Sequence, residues 1–217
     1  MDNGIKYTSL DFSNAKYLVL DYIESSGTQY IDTGFIATNT TRVTSKFQCT
    51  NTSKEELFEV THASQNQYIF GVVPNTKTFR SIRGAYSNGI FAPTSDLLVH
   101  ELNFNNNSQV ILDGATIGTF STSLTVTPKY TLYLFAGNDI GSAIERYGAY
   151  KLFNLKIYDN QSILVRNFVP TQRLSDFAIG LYDKVNDVFY KNKGSGAFGK
   201  GNYIGIIWGG MIYGQLN

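Results

Sequence analysis

Apolar positions along the chain fall in runs of about four to eight residues, rich in Val, Ile, Leu, Tyr, Phe and Thr and closed by Gly, Asn, Asp or Ser. That rhythm predicts short antiparallel strands separated by tight turns. Strands are expected at Gln29–Asp32, Arg42–Cys49, Tyr68–Val73, Thr78–Ile82, Leu98–Asn103 and Tyr130–Ala136. The clearest hairpin joins Val110-Ile111-Leu112 to Ala115-Thr116-Ile117 through Asp113-Gly114, a pair that readily takes the positive φ angles of a type I′ turn. Two further hairpins are predicted, from Ile157-Tyr158 to Ile163-Leu164-Val165 and from Gly180-Leu181-Tyr182 to Val188-Phe189-Tyr190. No long helix is expected. Ser53–Val60 reads as one or two helical turns, with Ser53 as cap and Glu56 at the capping-box position, or as a loop.

Strands without crossover helices bury their apolar faces by stacking as two sheets, so the predicted fold class is all-β, a two-sheet antiparallel jelly-roll sandwich. An immunoglobulin sandwich is disfavoured, because the chain is long for that fold and has no Cys…Trp…Cys pattern. At 217 residues a β-sandwich can still be one domain. The single cysteine, Cys49, shares strand parity with Val43 and Phe47 and is read as a small core residue. Eighteen basic against 17 acidic residues, with no Lys/Arg cluster, argue against nucleic acid as a partner. The start, Met1-Asp2-Asn3-Gly4-Ile5-Lys6, lacks the basic and apolar stretches of a secretory signal, so the protein is expected to be made and kept in the cytoplasm of its host cell. Membrane insertion is not expected either: the longest apolar candidate, Tyr203 to Tyr213, falls short of the ~20 residues required and contains glycines.

Two blocks carry a family resemblance. One runs Tyr22-Ile23-Glu24-Ser25-Ser26-Gly27-Thr28-Gln29-Tyr30-Ile31-Asp32-Thr33-Gly34. The other, from Tyr150 to Phe198, includes Lys156-Ile157-Tyr158-Asp159-Asn160, Leu164-Val165-Arg166-Asn167-Phe168-Val169-Pro170, Gly180-Leu181-Tyr182-Asp183-Lys184-Val185 and Gly194-Ser195-Gly196. With Leu132-Tyr133-Leu134-Phe135-Ala136, they resemble laminin-G-like jelly rolls of the concanavalin A-like lectin/glucanase type, found in proteins of gut bacteria and their phages. The resemblance implies an N-terminal extension (1–19), a jelly-roll domain (20–201) and an apolar, Gly-rich tail (202–217). It also implies a non-enzymatic phage virion protein, structural or decorating, such as a capsid auxiliary, head-fibre or tail-associated subunit. The alternative is a glycan-binding adhesin domain that recognises host cell-surface carbohydrate. A glycoside hydrolase is the least supported reading. Similar sequences carry glycine where this chain has Gln161 and Asp187, so both must tolerate or avoid positive φ.

The residues themselves offer little catalytic chemistry. Glycosidases of this architecture need two carboxylates across the scissile bond, and Glu55, Glu56 and Glu59 read instead as a solvated acidic cluster; no catalytic residue is assigned. His62 and His100 stand apart from partners spaced for zinc or a triad. No metal site or cofactor is assigned; calcium at the sandwich rim is the one ion the resemblance admits, and Asn138 and Asp139 would offer it two ligands. The Gly194–Gly201 stretch lacks the Gly-Lys-Ser/Thr of a phosphate loop and reads as tight turns. Loops at one end of a sandwich commonly carry recognition. There Tyr86, Asn88, Asn138, Asp139, Arg146 and Tyr147 pair aromatics with polar groups suited to a sugar. In the tail, Ile204, Ile206, Ile207, Trp208, Met211, Ile212 and Tyr213 require cover, either in their own sheet or, as slightly favoured, on a partner by strand addition. The expected partners are other virion proteins, a second copy of the chain, or cell-surface glycans.

Overall fold

The computed structural model describes residues 15–62, 66–121, 129–143, 146–208 and 211–213. Its N-terminal half supplies β1 (Tyr17–Leu20), β2 (Ile23–Ser26), β3 (Ile31–Asp32), β4 (Arg42–Cys49), β5 (Glu56–Thr61) and β6 (Gln67–Val73). These are followed by β7 (Thr78–Gly84), β8 (Ile90–Thr94), β9 (Val99–Asn106), β10 (Gln109–Leu112) and β11 (Ala115–Thr119), with a 3-10 turn at Tyr86–Asn88. The C-terminal half adds β12 (Tyr133–Leu134), β13 (Asn138–Asp139), β14 (Ser142–Ala143), β15 (Ala149–Asp159) and β16 (Ile163–Arg173). It ends with β17 (Ile179–Asp183), β18 (Val188–Lys191), β19 (Gly199–Lys200), β20 (Tyr203–Trp208) and β21 (Met211–Tyr213).

These strands form two large antiparallel sheets packed as a sandwich of jelly-roll type, the fold class that the hydrophobic pattern predicts. The larger sheet runs β11-β10-β9-β4-β15-β16-β1-β20-β21, with β2 and β19 branching from β15, and β17 and β18 from β16. The smaller runs β14-β13-β5-β6-β7-β8, with β12 and β3 alongside β5.

Alternation decides which side chains enter the space between the sheets. On β4, Val43, Ser45, Phe47 and Cys49 are buried while Arg42, Thr44, Lys46 and Gln48 are partly exposed. Phe47 meets Phe70 and Phe79 edge-on at 5.4 and 5.9 Å, and Phe104 of β9 meets Phe58 of β5 at 5.3 Å. All five rings are fully buried, and each such burial contributes about 1.5–3 kcal/mol. Cys49 lies in the same core, where burial pushes its thiol up to about 11.

The three predicted hairpins form. Asp113 and Gly114 both have positive φ, 50° and 81°, as a type I′ turn requires. Gln161 and Asp187 also take positive φ, 69° and 56°. Such a conformation costs a side chain about 1–2 kcal/mol, and here the side chains bond back. Gln161 Nε2 donates to the Thr40 carbonyl at 3.0 Å, and its Oε1 accepts the Asn107 amide at 2.9 Å. The Asp187 carboxylate accepts the Tyr182 hydroxyl. Contacts between the two blocks of the resemblance also explain their joint presence: Ser195 N donates to Thr28 O at 3.0 Å and Tyr30 N to Asn192 Oδ1 at 3.0 Å.

Two expectations are corrected. Ser53–Val60 is neither helix nor simple loop, because Glu56–Thr61 forms a strand buried on both faces, where the packing of Leu57, Phe58 and Val60 overrides the capping signal. The described parts of the expected 1–19 extension and 202–217 tail are also not separate from the sheet, residues 1–14 and 214–217 lying outside the described residues. Strand β20 pairs with β1 of the same molecule, Tyr17 opposite Ile207 and Leu18 opposite Ile206, and β1 pairs with β16. An open edge on β1 would leave backbone groups unpaired, and β20 satisfies them. Strand addition therefore occurs within the chain for this part of the tail. Ile206 and Ile207 are buried, Ile207 beside Val19 and Tyr182 in a second small core. Ile204, Trp208, Met211 and Ile212 remain exposed and Tyr213 half-buried.

Ile207→Ala should cost about 2–5 kcal/mol in urea unfolding, whereas a tail that docks only on other molecules would leave the value unchanged. Cys49 should resist alkylation at pH 8 in the folded protein and react once denaturant is added; rapid labelling of the native state would contradict its burial.

Candidate functional site

The face of β5 turned away from the core carries an ion-pair network. Glu56 and Glu59 stand three apart, a spacing that on a regular strand sends side chains to opposite faces. A bulge at Leu57 shifts the register, so that Glu56 lies opposite Gly71 while Phe58 lies opposite Phe70, and both carboxylates reach the outer face. Gly71 is required there, since a Cβ would overlap the Glu55 carbonyl oxygen and the Glu56 carboxylate. Arg80 of β7 bonds to Glu56 and lies 3.4 Å from Glu55. Arg146 grips both oxygens of Glu59, Nε to Oε2 at 3.1 Å and Nη2 to Oε1, and its Nε stands 4.0 Å from Glu56.

Glu56 and Glu59 are wholly shielded from solvent, so the expected solvated cluster is instead a buried pair of carboxylates, each neutralised by a guanidinium. Burial holds the Glu59 carboxyl above the ordinary glutamate value, against the pull of Arg146 and the Thr61 hydroxyl. Glu56 Oε2 and Arg80 Nε have no hydrogen-bond partner.

Aromatic side chains flank this network on the same face. Strand register aligns Asp32, Tyr133, Glu59, Ile69 and Ile82 in one row across the sheet. Tyr30 stacks on Tyr133 with centroids 4.9 Å apart, and Tyr147 joins them at 6.5 Å from Tyr30. Lys193 Nζ reaches Asp32 at 3.3 Å beside the rings. On the far side Phe91 lies opposite Arg80 in the register, and Tyr86 packs on it at 5.4 Å, both rings exposed.

The six residues singled out by sequence thus surround one sheet face without forming a single cluster. Arg146 and Tyr147 sit over β5, and Asp139 is beside Thr61 at its end. Tyr86 and Asn88 occupy the 3-10 turn after β7. Asn138 is buried, its Nδ2 donating to Thr131 O at 2.6 Å and its Oδ1 accepting from Gly141 N at 3.1 Å, so its amide shapes the turn. Those bonds leave Asn138 little to offer a calcium ion, and among the described residues no three His, Cys, Asp or Glu side chains converge on a point. Sequence reasoning missed Tyr133, Arg80 and Phe91, which register brings to this face, and Tyr30, which stacks on Tyr133. For the glutamates a signal was present, since Leu57, Phe58 and Val60 mark a buried strand.

The histidines lie elsewhere. His100 is held between Asp113 and Asp96 at 2.7 and 2.9 Å, with its ring against Phe47 and Phe79. Burial raises the Asp113 carboxyl, but the Glu101 amide and His100 together bring it below the usual aspartate value. His62 packs its ring on Tyr130.

No protein-family model matches the chain, and no curated protein matches it.

A carboxyl raised by folding contributes stability below its unfolded pKa, and that contribution is lost as pH rises through the folded value. The stability of the native protein relative to Glu59→Gln should therefore decline as pH rises from about 4.5 toward neutrality. Urea midpoints of the two proteins between pH 4 and 8 measure this, and parallel curves would contradict a raised Glu59. Asp113 acts with opposite sign at lower pH, below the ordinary aspartate range.

Proposed function

We propose that the chain is a non-catalytic, lectin-like attachment module that binds carbohydrate across the outer face of its smaller sheet. The observation that carries this reading is the flanking of one arginine-neutralised patch by two aromatic groups, Tyr30, Tyr133 and Tyr147 on one side and Tyr86 and Phe91 on the other. A sugar ring offers an apolar face for stacking and a rim of hydroxyls for hydrogen bonds, and the half-exposed Tyr30 and Tyr147, backed by the buried Tyr133, suit the first while Arg146 suits the second. Arg146, with about a third of its side chain exposed, and the Asp32–Lys193 pair are the polar groups within reach.

The same geometry argues against hydrolysis. A glycosidase needs one carboxyl free to donate a proton and another free to attack or to activate water. Glu56 and Glu59 are each bonded to a guanidinium and closed to solvent. The resemblance of residues 22–34 and 150–198 to phage and gut-bacterial domains supports a place on a particle surface, where a decorating or tail-associated virion subunit would meet host polysaccharide.

The test is a glycan array of bacterial polysaccharides with purified protein. Tyr30→Ala and Tyr147→Ala should each weaken binding about tenfold, equivalent to about 1.4 kcal/mol, without lowering the melting temperature. A native protein silent across the array would sink the reading, as would binding indifferent to both tyrosines and to Phe91→Ala.

A further inference from the structure

Outward positions of β4 and β15 fall into four successive rows across the larger sheet: Gln48 with Lys151, Lys46 with Asn154, Thr44 with Lys156, and Arg42 with Tyr158. Each row holds one cation and no carboxylate. The cations therefore form a stripe along the strands at intervals of about 7 Å, the repeat of alternate residues in an extended chain. The sequence does not group them, because β4 and β15 lie far apart in the chain.

Glu101 lies opposite Lys46 on one flank and Glu24 opposite Lys151 on the other, yet neither lysine pairs with its neighbour. Lys46 lies instead over the Phe153 ring, 5.9 Å from its centroid, and Lys151 over Tyr22 at 4.7 Å. Arg42 covers Tyr158 at 4.0 Å and donates its Nε to the Gln161 carbonyl. Among the described residues, Lys46, Lys151 and Lys156 make no hydrogen bond or ion pair, and Arg42 has no carboxylate partner. All four side chains are partly exposed.

We propose that this stripe docks an extended acidic peptide segment of a partner protein, with carboxylates at alternate positions, laid along β4 and β15. The interval of the cations matches that of the side chains on one face of such a segment. Three of the four cations are lysines, compact point charges suited to single carboxylates, not forks shaped for phosphate. Stacking of a sugar or a nucleobase needs an open ring face, and Tyr22, Phe153 and Tyr158 are already covered by cations. Glu24 and Glu101 fence the stripe to the width of one chain and would repel the second strand of a duplex. Outside its described residues this protein has only Asp2, Asp11 and Glu145 as acids, too few and too far apart to supply the segment itself. The stripe lies on the larger sheet and does not depend on the carbohydrate reading of the smaller one.

The test is fluorescence anisotropy of the full chain with a labelled peptide of alternating Glu and Ser, about ten residues long so as to span the stripe. The native protein should bind it, and raising salt from about 50 to about 200 mM should weaken binding severalfold. Lys156→Glu should weaken it at least about tenfold and Lys46→Gln about threefold, both with melting temperatures near that of the native protein. Tyr147→Ala, on the other sheet, should leave it unchanged. Absence of binding overturns the proposal, as does binding that Lys156→Glu and Lys46→Gln both leave intact. Tighter binding of polygalacturonate, or of single-stranded DNA of equal charge, overturns it too, by assigning the stripe to a glycan or a nucleic acid.

Discussion

Edge-to-face packing among Phe47, Phe58, Phe70, Phe79 and Phe104 joins the two sheets, and the rest of the structure follows from committing those rings inward. Side chains alternate along a strand, so each inward ring also dictates what its neighbours present outward. On β5 and β6, Phe58 and Phe70 turned to the core leave Glu59 and Ile69 on the far face. On β4, Phe47 turned inward leaves Lys46 and Gln48 outside. The chemistry available on either surface is thus a by-product of which rings fill the middle.

Departures from strict alternation matter as much. The bulge at Leu57 brings Glu56 and Glu59 to one face, and a comparable shift on β15 leaves Phe153 as the extra residue between Leu152 and Asn154. A bulge is the inexpensive way to place two neighbouring functional groups side by side on a sheet. Two buried carboxylates on one strand would repel each other and lose hydration, so each is stable only because Arg80 or Arg146 reaches it from another element. Arg146 precedes β15 and Arg80 lies in β7, so the network ties together distant parts of the chain.

Strands β1 and β20 complete the larger sheet rather than decorate it. Strands β1 and β20 pair beside β16, and their apolar contact with Tyr182 builds a second small core outside the main one. A jelly roll that looks finished by residue 201 on sequence still needs these strands to satisfy its backbone groups.

Much of this fold was legible in the sequence because strand periodicity and turn chemistry are local. Arg42–Cys49 reads as a half-buried strand from its alternation, and Asp113-Gly114 as a type I′ turn from its φ preferences. The buried place of Cys49 follows from the same parity. The site was less legible. Arg146 and Tyr147 could be singled out, but Tyr133, Arg80 and Phe91 join them only through pairings between strands far apart in the chain, and Tyr30 through its ring contacts with Tyr133 and Tyr147. The sequence by itself determined an all-β chain, three of its hairpin turns and the inward parity of Val43, Phe47 and Cys49, because those depend on neighbours a few positions away. Only the tertiary structure decided which strands lie side by side, where a bulge reverses the facing of Glu56, and that β20 closes on β1, because each is a competition among non-local pairings that no short window of residues contains.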